Sequence, residues 1–578
     1  MRTPTLQYLY LQKPLMSLLL ITIISTCWIF DGDFYTKGEP REAAVAVSMI
    51  EKGEWILPHS YADEIAYKPP FTHWFTALFS LPEGEVTPFT SRLPSVLAFL
   101  LLIGSVFIFL GRRIRGVEAF LATIILITSF ELHRSAMTAR VDMTLTAFIV
   151  WGLLCLYRWE ERFKLKGFPF GISLIFSCAI LIKGPVGIVL PMIVFGIYLL
   201  LIRYNFWKIA GKLIMISLAS MIIPAIWYYL AYLQGGQEFW EVVKAENFGR
   251  FFGSETNIKY DLGHEEPVWY NFITLAAGFI PWTIFLFFSL FGISYAKKYS
   301  FKSLWNKFLS MDRIRLFSLV AAIVIIVFYS IPISKRSVYL MPAYPFIAVF
   351  IAQYVIYLTE YKTKVTKVFS WFIGCLGILV ALVVLLTVLT PWVDPVESLG
   401  FIKSERTMAD ITATWNSLNA SYLRYLVLFF ILAAFLYILG RSLNKKNNLK
   451  ILTATIGTYI AIVLILDGIF LPAFKNGSSV KPFAKKIEEL NPSYESIYVV
   501  NNLKLYRNMY GMNFYLHNNF RNFEKELPET GFFLIGAHDF EKFYPEYQDI
   551  YEFELITQTE NRTKDVGQAI QYYSFSKK

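Results

Sequence analysis

Apolar runs of about 18 residues or more recur along nearly the whole of this 578-residue chain, and no other feature limits its fold so tightly. A run of that length crosses the roughly 30 Å hydrocarbon layer as a helix, the form that satisfies its backbone groups internally. Thirteen such spans begin near residues 15, 90, 116, 141, 170, 186, 211, 269, 315, 340, 366, 421 and 451. The gaps between them alternate in charge. With the N-terminus inside, the even-numbered gaps are cytoplasmic: "GRRIRG", "YRWEERFKLKG", "RYNFWKIAGK", "YAKKYSFKSLWNKFLSMDRIR", "TEYKTKVTK" and "GRSLNKKNNLK", which together hold 23 lysines and arginines. Positive residues are retained on the cytoplasmic side, so one missed or invented span would break the alternation.

Composition excludes other classes. Hydrophobic residues make up 56% and charged residues 17%, which rules out a water-soluble α/β enzyme. The net charge of +11 is accounted for by the cytoplasmic loops, so no nucleic-acid partner is expected. Cys27, Cys155, Cys178 and Cys375 lie in or beside apolar runs without CxxC spacing and read as buried thiols. The first run, 15–30, reads as an uncleaved span because no small-residue cleavage site follows it.

Three long gaps then face outward, at 31–88, 234–268 and 390–420, together with the polar C-terminal part. The expected organisation is a transmembrane domain over 1–475 and an outer α/β domain over 476–578. In the latter "KPFAKKIEEL" reads as an amphipathic helix, and "SIYVV" and "GFFLIGA" as strands. Outer loops should be poor in cations, yet Arg41, Lys68, Arg140, Arg250, Lys335 and Arg336 all fall in or near them. Such groups are costly beside lipid unless paired or bound to an anion, and a lipid phosphate is the obvious anion there.

The first outer loop holds two candidate elements. In "GEPREAAVAVSMIEKGEW" Pro40 suits a first helical turn, and Ala43, Val47 and Ile50 make an apolar stripe, so a helix lying along the membrane surface is expected. Glu39 stands at its N-terminal end, where it either stabilises the helix terminus or takes part in chemistry. In "YADEIAYKPPFTHW" the double proline stiffens the chain after Lys68, which suits a phosphate ligand as well as a snorkelling lysine. Asp63 and Glu64 read as solvated. Arg92, in "PFTSRLP", reads as a helix anchor. Asp142 opens the fourth span two residues after Arg140 and either pairs with it or works. Lys335 and Arg336 lie between two spans in "IPISKRSVYLMPAYP", with Tyr339 one turn on, and read as anion ligands.

These segments, "GEPREAAVAVSMIEKGEW", "YKPPFTHWFTALF", "PFTSRLPS", Asp142, "HEEPVWY" and "SKRSVYLMP", resemble in order the signature of the polytopic GT-C glycosyltransferases. The aminoarabinose transferases of lipid A are the nearest group, with the protein O-mannosyltransferases more distant. The resemblance implies the GT-C fold and an inverting transfer of sugar from a polyprenyl-phosphate donor to lipid A, another surface glycan or protein. It places the reaction on the outer face of the bacterial inner membrane. It assigns the lipid phosphate to Lys68, Arg250 and Tyr339, and the acceptor's acid–base groups to Glu39 and Asp142; Lys335 joins the phosphate ligands from the charge pattern. Two departures stand out. The family's first aspartate falls on Gly38, leaving Glu39 as the acid there. The glutamate before its Lys-Pro-Pro is Tyr67, which puts a zinc site with His264 in doubt. A lipid-linked-sugar transporter and a non-catalytic assembly subunit are the other classes compatible with the outer cations.

Overall fold

The computed structural model describes residues 4–34, 37–66, 68–249, 265–291, 310–388, 411–412, 414–415, 417–418, 422–444, 447–477, 479–492, 496–502, 505–560 and 562–578. Arg250, His264 and Tyr67 lie outside the described residues. Helices dominate: α1 (Pro4–Thr26), α2 (Gly38–Glu51), α3 (Phe71–Ser80), α4 (Pro88–Leu110), α5 (Gly116–Thr128), α6 (Phe130–Ala136), α7 (Val141–Phe163), α8 (Phe170–Lys183), α9 (Val186–Leu201) and α10 (Phe206–Lys244). The series continues with α11 (Tyr270–Gly278), α12 (Trp282–Leu290), α13 (Arg313–Ser330), α14 (Tyr344–Tyr361), α15 (Thr363–Val388), α16 (Tyr422–Leu443) and α17 (Asn448–Ile465).

Local chemistry sets several of these starts. Thr87 and Thr90 cap α4 reciprocally, with Pro88 in the first turn. Asp312 caps α13 by accepting from the Arg315 backbone N–H. Nine helices among the described residues are long and apolar enough to cross a bilayer, or eleven if the bent pairs α5–α6 (63°) and α11–α12 (105°) each count as one crossing. Thirteen were expected. The difference is α8 and α9, whose 14 and 16 residues reach only about 21–24 Å, short of a full hydrocarbon layer.

The C-terminal domain is a five-stranded sheet of order β2-β1-β3-β5-β4, made of β1 (Ile497–Val499), β2 (Arg521–Asn522), β3 (Thr530–Gly536), β4 (Tyr551–Gln558) and β5 (Ile570–Lys577). β1 runs parallel to β2 and β3, while β5 is antiparallel to β3 and β4. The amphipathic helix α18 (Lys481–Leu490) buries Phe483, Ala484 and Ile487 against one face. A short helix α19 (Tyr510–Tyr515) carries this domain onto α2.

That contact corrects the picture of α2 as a surface helix with one wet face. Ala43 and Val47 pack on Phe514, while Val45, Ala46 and Met49 pack on Ala66 and Ala77 beside α3. Both faces are taken, so α2 is buried from Glu39 through Met49 apart from Arg41. Tyr61 extends the joint, with its ring 5.3 Å from Tyr510 and 5.6 Å from Phe520.

Candidate functional site

Two acids of α2 go to different places. Glu39 is fully buried, and so is its partner Arg92 from α4. Arg92 Nε donates to Glu39 Oε1 at 3.0 Å; its Nη1 donates to the Ile29 and Gly32 carbonyls and Nη2 to that of Asp33. Glu39 Oε1 also accepts from the Ala139 backbone N–H at 3.2 Å. The sequence put the acceptor's base at Glu39. The structure spends that carboxylate on tying α2, α4 and the chain ahead of α7 together, and Arg92 is the anchor it was read to be.

Glu42, one turn on, faces a different set. One oxygen is held by the Lys68 ammonium and the other lies 2.9 Å from His73 Nε2, with Arg41 Nη2 at 3.7 Å. Burial alone would push the Glu42 carboxyl up; Lys68, the His73 hydrogen bond and Arg41 outweigh it and hold the carboxyl well below its ordinary range. Burial draws the Lys68 ammonium below its ordinary value, with Glu42 pulling the other way. Lys68 is placed by Pro69 and Pro70 ahead of α3, and His73 by the first turn of α3.

Asp142, in the first turn of α7, joins this group. Its Oδ1 accepts from Lys183 Nζ at 2.5 Å, so its close partner is not Arg140. Lys68 and Arg140 act on it at longer range. Lys183 ends α8, and its Nζ also sits 4.2 Å from the centre of the Tyr339 ring. Gly184 follows with φ of +73°, and a Cβ there would meet Asn247 Oδ1 at 2.4 Å, so glycine suits the turn where α8 ends against the segment that follows α10. Gly38, where the resemblance expects an aspartate, faces the Arg140 guanidinium: a Cβ would stand 3.2 Å from Nη2.

Lys68, Asp142 and Tyr339 are therefore brought together, and Lys183 and Glu42 are added to them. Lys335 is not brought in. It is 4% exposed, and its ammonium donates to the carbonyls of Glu266, Pro332 and Ile333 at 2.8, 2.7 and 3.4 Å. Three protons on three carbonyls leave none for a phosphate, which corrects the anion-ligand reading. Arg250 and His264, expected as phosphate and zinc ligands, lie outside the described residues, as does Tyr67. Among the described residues no three His, Cys, Asp or Glu side chains gather as a metal site.

A cavity of about 40 Å³ adjoins the cluster, lined among others by Arg41, Glu42, Ser60, Lys68, His73 and Tyr510. That volume suits water rather than a sugar. Ser60 Oγ and His73 Nδ1 are buried without hydrogen-bond partners, and water in this cavity would serve them.

Fold and site together define a polytopic helical membrane protein of the GT-C fold, with a buried cation–carboxylate cluster where its first loop, α7 and α8 meet. Within that class the chain resembles the aminoarabinosyl and protein mannosyl transferases. The family described as dolichyl-phosphate-mannose-protein mannosyltransferase matches residues 67–229, a segment that contains Lys68, His73, Asp142 and Lys183. An uncharacterized protein of Aquifex aeolicus is 29% identical over 360 residues, 60% of this chain and 63% of that one. The undecaprenyl phosphate-alpha-4-amino-4-deoxy-L-arabinose arabinosyl transferase of Shewanella sediminis is 23% identical over 58% of this chain and 59% of its own. The matches thus span about three-fifths of these relatives' length. The crystal structure of ArnT from Cupriavidus metallidurans bound to undecaprenyl phosphate aligns over 96% of this chain and 97% of that one, with a TM-score of 0.68 at 18% identity.

Proposed function

We propose that the chain is a membrane glycosyltransferase that moves a sugar from a polyprenyl-phosphate donor to an acceptor on lipid A, another surface glycan or a protein, at the outer face of the inner membrane. The observation that carries this reading is the pairing of Lys68 with Glu42 and of Lys183 with Asp142 in one cluster. Two ammonium groups suit a phosphate, and two carboxylates suit the proton of an attacking hydroxyl.

In the reaction the acceptor oxygen bonds to the sugar C1, the bond from C1 to the phosphate oxygen breaks, and polyprenyl phosphate departs with the bonding pair. Lys68 and Lys183 stabilise the charge that develops on that phosphate. The acceptor proton passes to Asp142 or Glu42. The donor phosphate competes with each carboxylate for its lysine. A carboxylate that yields its lysine is a stronger base, because the charge that favoured its ionised form now serves the phosphate. Donor binding thereby readies the base, and an acceptor arriving first meets carboxylates still held by cations. His73 steadies Glu42 during this exchange.

The test uses purified full-length protein in detergent with labelled polyprenyl-phosphate sugar and acceptor lipid. Transfer of label is expected, with release of polyprenyl phosphate. Intact donor in the presence of a competent acceptor extract would overturn the reading, since a transporter or an assembly subunit consumes no donor without a membrane to cross.

A further inference from the structure

At the opposite ends of the helices that carry the site, α1, α4 and α7 enclose a trough of about 520 Å³, walled by residues that include Leu15, Leu19, Leu100, Gly104, Trp151 and Leu154. This is the size of a small-molecule pocket, not a packing defect. Gly104 keeps it open: a Cβ there would meet only Leu19 Cδ2, at 3.9 Å. One end of the trough is lined by Arg112, Arg113 and Arg158. Arg113 is occupied: it pairs with Glu161, donates to the Phe109 carbonyl at 2.9 Å and stacks over the Phe109 ring at 4.1 Å. Arg112 and Arg158 have no ion-pair partner among the described residues, so the trough ends in net positive charge. The loop "GRRIRG" belongs to the face that the positive-inside rule makes cytoplasmic.

We propose that this trough is a binding site for an anionic phospholipid of the cytoplasmic leaflet, with an acyl chain along the apolar wall and its phosphate on Arg112 and Arg158. Charge and shape select that chemistry together. A zwitterionic lipid fills the wall but brings its own cation to the arginines. A soluble phosphate meets the arginines and leaves the wall unfilled. Occupancy ties the cytoplasmic halves of three helices, two of which carry Arg92 and Asp142 at their other ends, and stabilises the fold by mass action. The inference does not rest on the proposed transfer reaction.

The test is native mass spectrometry and thermal melting of the full chain in nonionic detergent, with phosphatidylglycerol, with phosphatidylcholine of the same chains, and with glycerol phosphate. Phosphatidylglycerol is expected to be retained about tenfold better than phosphatidylcholine and to raise the melting temperature, while glycerol phosphate does neither. Arg112→Gln combined with Arg158→Gln should abolish the preference for phosphatidylglycerol. Gly104→Leu, well suited to a helix, should fill the trough and reduce retention of both lipids. Equal retention of the two lipids by the unaltered chain would overturn the proposal whatever the variants do, and so would an equal rise in melting temperature with glycerol phosphate.

Discussion

Glu39 and Glu42 leave the same helix three residues apart, and their surroundings differ in one respect that matters. Glu39 meets an arginine whose other protons are held by three backbone carbonyls, in a place with no exposed surface. Glu42 meets a lysine and a histidine beside a water-sized cavity, with one-tenth of its side chain exposed. Arg92 cannot leave Glu39 without stranding carbonyls as well. Lys68 holds Glu42 through a flexible ammonium beside a water-sized cavity, and an ammonium can exchange one anion for another. An acid becomes available for chemistry when its partner has somewhere else to go.

The largest effect is expected at the sealed pair. Arg92→Met leaves a buried carboxylate unpaired and orphans three carbonyls, and should cost about 3–5 kcal/mol of stability, read as a collapse of the detergent melt. Glu42→Gln should cost far less, since water reaches Lys68 through the cavity. Equal losses in the two variants would mean that Glu42 is scaffold too.

Activity should reverse that order. Lys68→Ala is expected to lower transfer by about 10²–10³-fold in protein that still melts cooperatively, the scale of a lost charge-stabilising donor. Glu42→Gln should separate the kinetic constants: kcat falls, while the donor KM falls as well because the internal competitor for Lys68 is gone. Unchanged kcat in that variant would leave Asp142 as the working acid, to be checked by Asp142→Asn.

Part of this contrast was legible in the sequence. The apolar runs carry the fold, since a long uncharged stretch has few alternatives to a span, and α8 and α9 were ambiguous because they stop short of that length. Lys68 stood out as a cation in a loop that the charge alternation reads as outer. Lys183, in "LIKGPVG", carries the same signal between the fifth and sixth spans and was missed. Glu42 was hidden because an acid beside Arg41 on a helix assumed half-wet looks solvated. The other face of its helix, at Ala43 and Val47, is covered by Phe514, and Tyr510 lines the cavity beside Glu42, both more than 450 residues away in the chain, which local patterning does not report. Lys335 misled because backbone carbonyls attract a misplaced lysine as well as a phosphate does.

Acidification should separate the α2 site from the domain that covers it. Asp565 accepts from the Gly511 and Met512 backbone N–H groups at 3.0 Å each, yet burial raises its carboxyl from 3.8 to about 6. Stability from a raised carboxyl is fully present below its ordinary value and is lost as pH climbs through about 6, by up to about 3 kcal/mol. Glu42 runs the other way: its contribution is present above the ordinary value of 4.5 and disappears only as pH falls through its lowered one. Between pH 7.5 and pH 5, amide protection at Gly511 and Met512 should therefore rise while that of α2 around Glu42 stays level. Asp565→Asn should flatten the first response. A parallel change in both regions would show that they open as one unit.

The smallest effect belongs to a pair at the rim of the same joint. His517 Nδ1 lies 2.8 Å from Glu51 Oε1, linking the end of α2 to the turn after α19, with both side chains at least one-third exposed. The hydrogen bond to Glu51, against partial burial, raises the His517 pKa. Its contribution is present below about 6.5 and lost as pH rises through the raised value. Solvent screens it to a few tenths of a kcal/mol, so His517→Gln should move the melting temperature at pH 6 by about 1 °C or less, and high salt should erase the difference. The pair of Glu42 and Lys68 should respond far less to the same salt, because each side chain is only one-tenth exposed and buried pairs are screened much less. If salt weakens both pairs alike, the Glu42 site is open to solvent, and its carboxylate no longer needs a donor phosphate to release it.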